Sequence, residues 1–322
     1  MQHIGDETST PCIAFVLEKL KFHLAQHANH PNPPPFILGL NGVQGAGKTY
    51  LANNLSKLSA PPHNIPTIAF SVDDIYLTHA DQLRLAAASL ENPLLQHRGQ
   101  PSTHDIALGK QIFESLKKGL PTKIPWYDKS AFDGQGDRGP EDKWKVVNDK
   151  VNAEAKIQLV IFEGWCLGFR TRSEDEVRAV WEEAVKQKEI GGYEGQLAYV
   201  KLEDVLAVNN ALNDYDVFTD QFDAFIHLDA ENTHYVYDWR QESERELLRK
   251  FGKGMTPDQV TRFIDGYYPS YELFTPALRN GVFRPRQTDP SQLTEDSAAS
   301  WRGKQLRLVL DKQRKVSEII KI

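Results

Sequence analysis

The chain has very little sulfur: two cysteines and two methionines in 322 residues. Cys12 and Cys166 are too few for a disulfide framework or a four-ligand zinc site, which points to a reducing compartment. Cys166 closes an apolar run and is expected as a small core residue. No stretch approaches the roughly 18 consecutive apolar residues of a membrane span. The opening Met1-Gln2-His3-Ile4-Gly5-Asp6-Glu7 carries neither a basic-then-apolar leader nor an Arg-rich amphipathic one. A cytoplasmic protein is therefore expected, with the nucleus left open. Basic excess is lacking as well. The 38 Lys and Arg face 44 Asp and Glu, a net charge of −6, which argues against a nucleic-acid binder driven by phosphate neutralisation. What remains is an ordinary globular composition, 40% hydrophobic and 25% charged, long enough for a sizeable core.

Hydrophobic patterning gives the fold class. Ile13, Val16, Leu17, Leu20 and Leu24 recur at helical spacing over residues 13–25, and the Pro-rich run 31–35 closes that helix as a stiff connector. Five short apolar runs follow, at residues 36–40, 67–70, 159–162, 224–228 and 306–310. Each suits a strand covered on both faces, and helical patterns separate them. The expectation is an α/β fold with a mostly parallel five-stranded sheet flanked by helices. Residues 128–142, rich in Gly and Asp, are expected as loop. Residues 173–190, rich in Glu and Lys, are expected as a solvated helix within a charged insertion over 173–200.

One local signal is narrow. Gly42-Val43-Gln44-Gly45-Ala46-Gly47-Lys48-Thr49 is a full match to G-x-x-x-x-G-K-[ST], with an apolar strand before it and a helical stretch after it. Glycines let successive amides turn inward as a nest for phosphate oxygens, and the following helix adds its positive end. In that arrangement Lys48 reaches the β- and γ-phosphates and the Thr49 hydroxyl ligates Mg²⁺. The chain is expected to bind a nucleoside triphosphate. No Asn-Lys-x-Asp guanine reader occurs, which disfavours a GTPase.

Acids end two of the expected strands. In Ser71-Val72-Asp73-Asp74-Ile75-Tyr76, Asp73 stands 25 residues after Lys48, enough for one helix and a return strand, so the two lie at the same sheet edge. A carboxylate there can take the proton of an attacking hydroxyl. Asp73 or Asp74 also suits a helix N-cap. Glu163, at the end of the run 159–162, has the Walker-B position, where a carboxylate holds Mg²⁺ directly or through water.

Together the phosphate loop, Ser-x-Asp-Asp-x-Tyr, Arg98-Gly99-x-Pro101-x-Thr103-His104-Asp105, Tyr127-Asp128-Lys129-Ser130-x-x-Asp133-Gly134-x-Gly136-Asp137-Arg138 and Phe162-Glu163-Gly164-Trp165 resemble the D-glycerate 3-kinase family. In layout the set is similar to uridine kinase, phosphoribulokinase and bacterial pantothenate kinase. The resemblance runs from about residue 36 to the C-terminus. It implies a P-loop kinase domain over 36–322, with residues 1–35 as an N-terminal helix and connector. It implies ATP and Mg²⁺ as cofactors and a small hydroxyl-bearing, anionic acceptor, with D-glycerate leading. By the same resemblance Asp73 is the general base and Asp74 an acid on the Mg²⁺ side, while Tyr76, Arg98, His104, Asp105, Lys129 and Arg138 form the acceptor side. Plain structural roles stand beside these: His104 with Asp105 as a helix cap, Arg138 as a solvated loop residue.

After the fourth apolar run, residues 231–255 read as a basic helical lid. Arg240 beside Trp239 is the expected lid arginine, able to stabilise charge on the transferring phosphoryl group. Arg245 and Arg249, spaced i, i+4 with acids nearby, also suit an exposed helix face. Gly252 is expected to cap that helix and Thr256-Pro257-Asp258-Gln259 to open another. The aromatic cluster Tyr267, Tyr268 and Tyr271 is expected mostly as core. Two other readings stay open: a kinase of a nucleoside or pantothenate type, and a nucleotide-binding regulatory protein with weak ATPase activity.

Overall fold

The computed structural model describes residues 5–149, 155–252, 254–284 and 301–322. Its elements are, in chain order, α1 (Gly5–Gln26), β1 (Phe36–Gly42), α2 (Lys48–Ser56), β2 (Thr67–Ser71), α3 (His79–Ala88) and α4 (Ile106–Lys117). Four short strands follow: β3 (Thr122–Ile124), β4 (Tyr127–Asp128), β5 (Asp137–Arg138) and β6 (Lys145–Val147). Then come β7 (Leu159–Gly164), α5 (Glu174–Ile190), α6 (Leu202–Thr219) and β8 (Ala224–Ala230). The chain closes with α7 (Tyr235–Phe251), α8 (Pro257–Asp265), α9 (Tyr268–Arg279), β9 (Gln305–Leu310) and β10 (Val316–Lys321).

The main sheet has the order β10-β9-β8-β1-β7-β2. All neighbours pair in parallel except β10, which runs antiparallel to β9. Every residue of β1, β7 and β8 is buried, the reason these strands read as unbroken apolar runs. Leu38 of β1 stands in register with Ile161 of β7 and Ala224 of β8. The chain winds to β7 and β2 on one side of β1 and to β8 and β9 on the other. The crevice at the carboxyl end of β1 is thus the switch point where such sheets hold ligands.

The five expected strands are all present, and a sixth joins them. β10 is a half-exposed edge strand and lacks the continuous apolar run that marks a doubly covered one. The expectation of a plain loop over 128–142 is corrected. β4 and β5 pair antiparallel there, Tyr127 opposite Arg138, and β3 pairs with β6 outside them. Strands of two and three residues are too short to show a period. The N-terminal helix begins at Gly5, well before its apolar stripe, and buries Cys12, Phe15, Val16 and Leu20.

Local signals elsewhere act as read. Ser173 opens α5 with a capping box to Glu176, and only Val177 and Ala184 of that helix are buried. Glu272 on α9 anchors the rest of the insertion by accepting from the Gln196 and Leu197 N–H groups, both at 2.9 Å. Gly252 ends α7 in the left-handed region at φ 69°, and Thr256 with Gln259 forms the capping box of α8. Residue 253 of the segment 231–255 lies outside the described residues. Cys166, Tyr267, Tyr268 and Tyr271 are core.

Candidate active site

The phosphate loop joins β1 to α2. Gly45 and Gly47 have φ of 83° and 95°, a left-handed conformation that costs glycine nothing and most side chains much. Lys48 folds back over the loop, its Nζ donating to the Gly42 carbonyl at 2.8 Å and the Val43 carbonyl at 3.2 Å. Burial pulls its pKa down while Glu163 and Asp73 pull it up, the first effect winning. Val43 and Ala46 are buried, and the Gln44 N–H donates to the Tyr271 hydroxyl at 3.3 Å.

At the end of β7, Glu163 accepts a 3.0 Å hydrogen bond from the Thr49 hydroxyl. Residues 114 apart in sequence thus place two oxygen donors beside Lys48. Burial raises the Glu163 pKa, partly offset by Lys48. A 3₁₀ turn over Val72–Ile75 follows β2, capped by Ser71. Asp74 accepts the Ser71 N–H at 2.8 Å. Burial pushes its carboxyl up to about 6, and the neighbouring Asp73 and Glu163 carboxylates push the same way. The structural reading of Asp74 as a cap therefore holds, within a group of three acids.

Asp73 points to a different partner. Its Oδ2 lies 2.5 Å from the Lys129 ammonium, which follows β4. Burial works against the Asp73 charge, but Lys129 outweighs it and holds the carboxyl below its usual range. Asp73 in turn raises the Lys129 pKa. The Asp73 side chain is only 26% exposed and that of Lys129 is 59% exposed, so the cation is the solvent-facing half of the pair.

The remaining expected residues divide into two groups. Tyr76 is buried, with His104 stacked on its ring at 4.3 Å and Tyr127 edge-on at 5.3 Å. The His104 Nδ1 meets the Tyr215 hydroxyl, and burial lowers its pKa to about 3, so the ring is neutral. Its Nε2 and the Tyr127 hydroxyl are buried with no partner in the structure. Orphaned polar atoms of this kind ask for a ligand or a water. Tyr127 escaped the sequence reading, although it opens the Tyr-Asp-Lys-Ser motif that was singled out. Arg98 donates to the Gly134 carbonyl at 2.7 Å and to that of Gln135, and lies 5.6 Å from the Tyr127 ring centre.

Arg138 and Asp105 form the second group and bond to each other. One Arg138 Nη2 donates to Asp105 at 3.0 Å and to the Tyr76 carbonyl at 2.8 Å. Asp105 also caps α4 by accepting the Leu108 N–H at 2.9 Å. The pair braces β5 against the Tyr76 backbone, while the Arg138 Nε is buried with no partner in the structure. Arg240 lies on α7. It pairs with Glu244 at 2.8 Å, four residues on, and packs 5.7 Å from the Phe263 ring centre. Arg245 and Arg249 are exposed. Among the described residues, Arg314 reaches the phosphate loop, its Nε donating to the Gly45 carbonyl at 2.7 Å. Nothing local in the sequence around residue 314 marks it.

No family model matches the chain. Individual relatives do. The chain is 37% identical over 254 residues to a Schizosaccharomyces pombe protein named uncharacterized kinase mug58, covering 78% of this chain and 85% of that one. It is 30% identical to the chloroplastic D-glycerate 3-kinase of Arabidopsis thaliana over 88% of this chain and 57% of the plant protein. A solved D-glycerate 3-kinase from Cryptococcus neoformans superposes with a TM-score of 0.83 at 31% identity, covering 99% of this chain and 100% of that one. The chain belongs to the D-glycerate 3-kinase family. It is an ATP-dependent P-loop kinase with a small-molecule acceptor. Among the described residues, no helix is long and apolar enough to cross a membrane.

Proposed function

We propose that this family member phosphorylates a hydroxyl of D-glycerate, giving 3-phosphoglycerate. The observation that carries the reading is the Asp73–Lys129 pair at 2.5 Å, a base beside a cation that an anionic acceptor can recruit. The acceptor hydroxyl oxygen attacks the γ-phosphorus, its proton passes to the Asp73 carboxylate, and the bond from the γ-phosphorus to the bridging oxygen of ADP breaks. Lys48 and the loop amides hold the phosphates through that change.

Mg²⁺ fits the donor set. Thr49 and Glu163 offer hard oxygens 3.0 Å apart, with Asp74 close enough to feel the Glu163 charge. Among the described residues no group of three His, Cys, Asp or Glu is arranged to hold a metal unaided. That suits a cation whose remaining ligands are phosphate oxygens and water. When bound, it would neutralise charge on the β- and γ-phosphates.

On the acceptor side, Lys129 and Arg98 supply the cations for a carboxylate. The orphaned Tyr127 hydroxyl and His104 Nε2 suit the acceptor's remaining oxygens. Arg138 and Asp105 brace this wall, and the unpartnered Arg138 Nε adds a further donor on the acceptor side. Residues 36–322 act as one kinase domain, with α1 of the N-terminal segment 1–35 packed on its sheet and α7 as the covering element over the nucleotide.

A coupled assay of ADP release tests this, with Mg-ATP against D-glycerate, L-glycerate, pantothenate, uridine and ribulose 5-phosphate. Stimulation by D-glycerate alone is the expected result. Stimulation by uridine or pantothenate instead, or ATP turnover that no acceptor changes, would overturn the assignment.

A further inference from the structure

The hairpin between β9 and β10 reaches the phosphate loop from the far end of the chain. Its turn is built from Asp311 to Lys315. The Asp311 carboxylate accepts the N–H groups of Gln313 and Lys315, each at 2.8 Å, and the Arg314 N–H donates to the Asp311 carbonyl at 2.9 Å. Arg314 is held at φ 63°, in the left-handed region that a residue with a long side chain rarely enters. Such a conformation persists only where surrounding contacts impose it. Here it presents the guanidinium of a side chain that is 10% exposed to three partners. Nε donates to the Gly45 carbonyl at 2.7 Å, Nη1 to Glu242 at 2.6 Å and Nη2 to the Trp239 carbonyl at 3.4 Å.

We infer that Arg314 is a positioning residue for the nucleotide, fixing the phosphate loop from outside and tying it to α7. The Gly45 carbonyl and the Ala46 N–H belong to one rigid peptide plane and point in opposite directions. Both ends are engaged, the carbonyl by Arg314 and the N–H by the Val43 carbonyl at 3.1 Å across the loop. That plane cannot turn without losing both bonds, so the nest of amides that receives phosphate keeps its shape.

The same guanidinium reads the position of α7. Glu242 and Trp239 both lie on that helix, and the turn is tied to it twice more. The Trp239 indole donates to the Lys312 carbonyl at 2.8 Å, and Lys312 pairs with Asp238 at 2.7 Å. Gly45 lies so near α7 that a Cβ on it would stand 2.6 Å from the Trp239 Cβ. A shift of the helix is therefore felt at Gly45 directly and through Arg314. Lysine cannot do this, because one ammonium has no fork to span a carbonyl and a carboxylate on two elements.

Calorimetric titration of nucleotide, alongside steady-state kinetics and thermal melting, tests the inference in Arg314→Met, Arg314→Lys and Glu242→Gln. Arg314→Met should weaken Mg-ATP and Mg-ADP about tenfold or more, the effect of losing one charge-assisted hydrogen bond. The KM for the acceptor should stay within twofold. Arg314→Lys should recover little of the affinity. Glu242→Gln should shift it the same way by less, and the double variant should fall short of the sum of the two. Unchanged nucleotide affinity in Arg314→Met with a lowered melting temperature would overturn the inference, leaving a purely structural residue. If Arg314→Met fails to fold, unchanged affinity in both Arg314→Lys and Glu242→Gln overturns it equally.

Discussion

The Lys129 ammonium stands 2.5 Å from the Asp73 carboxylate, joining the short ribbon β4–β5 to the end of β2. The pair keeps the carboxylate ionised and holds a cation where an anionic acceptor must arrive. Its two members differ in exposure. Asp73 is fixed by the Ser71-capped turn, and Lys129 reaches in from an exposed position.

Lys129→Met should therefore change two observables together. The KM for the acceptor should rise about tenfold or more, while the KM for ATP stays near its original value. Because Lys129 holds the Asp73 pKa down, its loss lets that pKa rise. The acid limb of the kcat/KM profile should move to higher pH. Arg138→Met is the control, since its partners are Asp105 and Tyr76. It should lower stability by about 1–3 kcal/mol without moving that limb. A profile that stays put in Lys129→Met would show that the ion pair does not govern the base.

Asp74 carries a stability signature. Its carboxyl is raised from about 3.8 to about 6 in the folded chain. Folding is thus favoured by its protonated form, fully below the unfolded value, and this contribution is lost as pH rises through about 6. Asp74→Asn removes the charge and keeps an oxygen for the Ser71 N–H. Nucleotide-free protein with this substitution should be more stable than the parent at pH 8, by ~2 kcal/mol. The advantage should vanish below pH 4. Melting curves across that range, without divalent cation, measure it. A difference that does not vary with pH would show that burial does not raise this carboxyl.

The sequence and the structure agree where a function needs a local pattern. The phosphate loop was legible because eight consecutive residues must meet one backbone geometry, and Glu163 because an apolar strand ends in an acid. Asp73 and Asp74 were legible as a pair, but their division of labour was not. Which one caps the turn and which one faces Lys129 depends on side-chain directions at the end of β2. Arg314 went unread for the same cause at longer range. Arg240 stood in a recognisable helix, whereas Arg314 meets Gly45 across 269 residues, a distance over which no spacing rule applies. The Arg138–Asp105 contact was not legible because the ribbon that buries Arg138 has strands of only two residues.

The most direct test of the account compares nucleotide binding with phosphoryl transfer in Asp73→Asn. The substitution keeps the shape of the side chain and removes its ability to take a proton. The account predicts a Kd for Mg-ATP within about twofold of the parent, and a rate of acceptor phosphorylation lowered by about 10²–10⁴. Phosphorylation at near the parent rate, or loss of ATP binding in proportion to the loss of transfer, would contradict the assignment of Asp73 as the base.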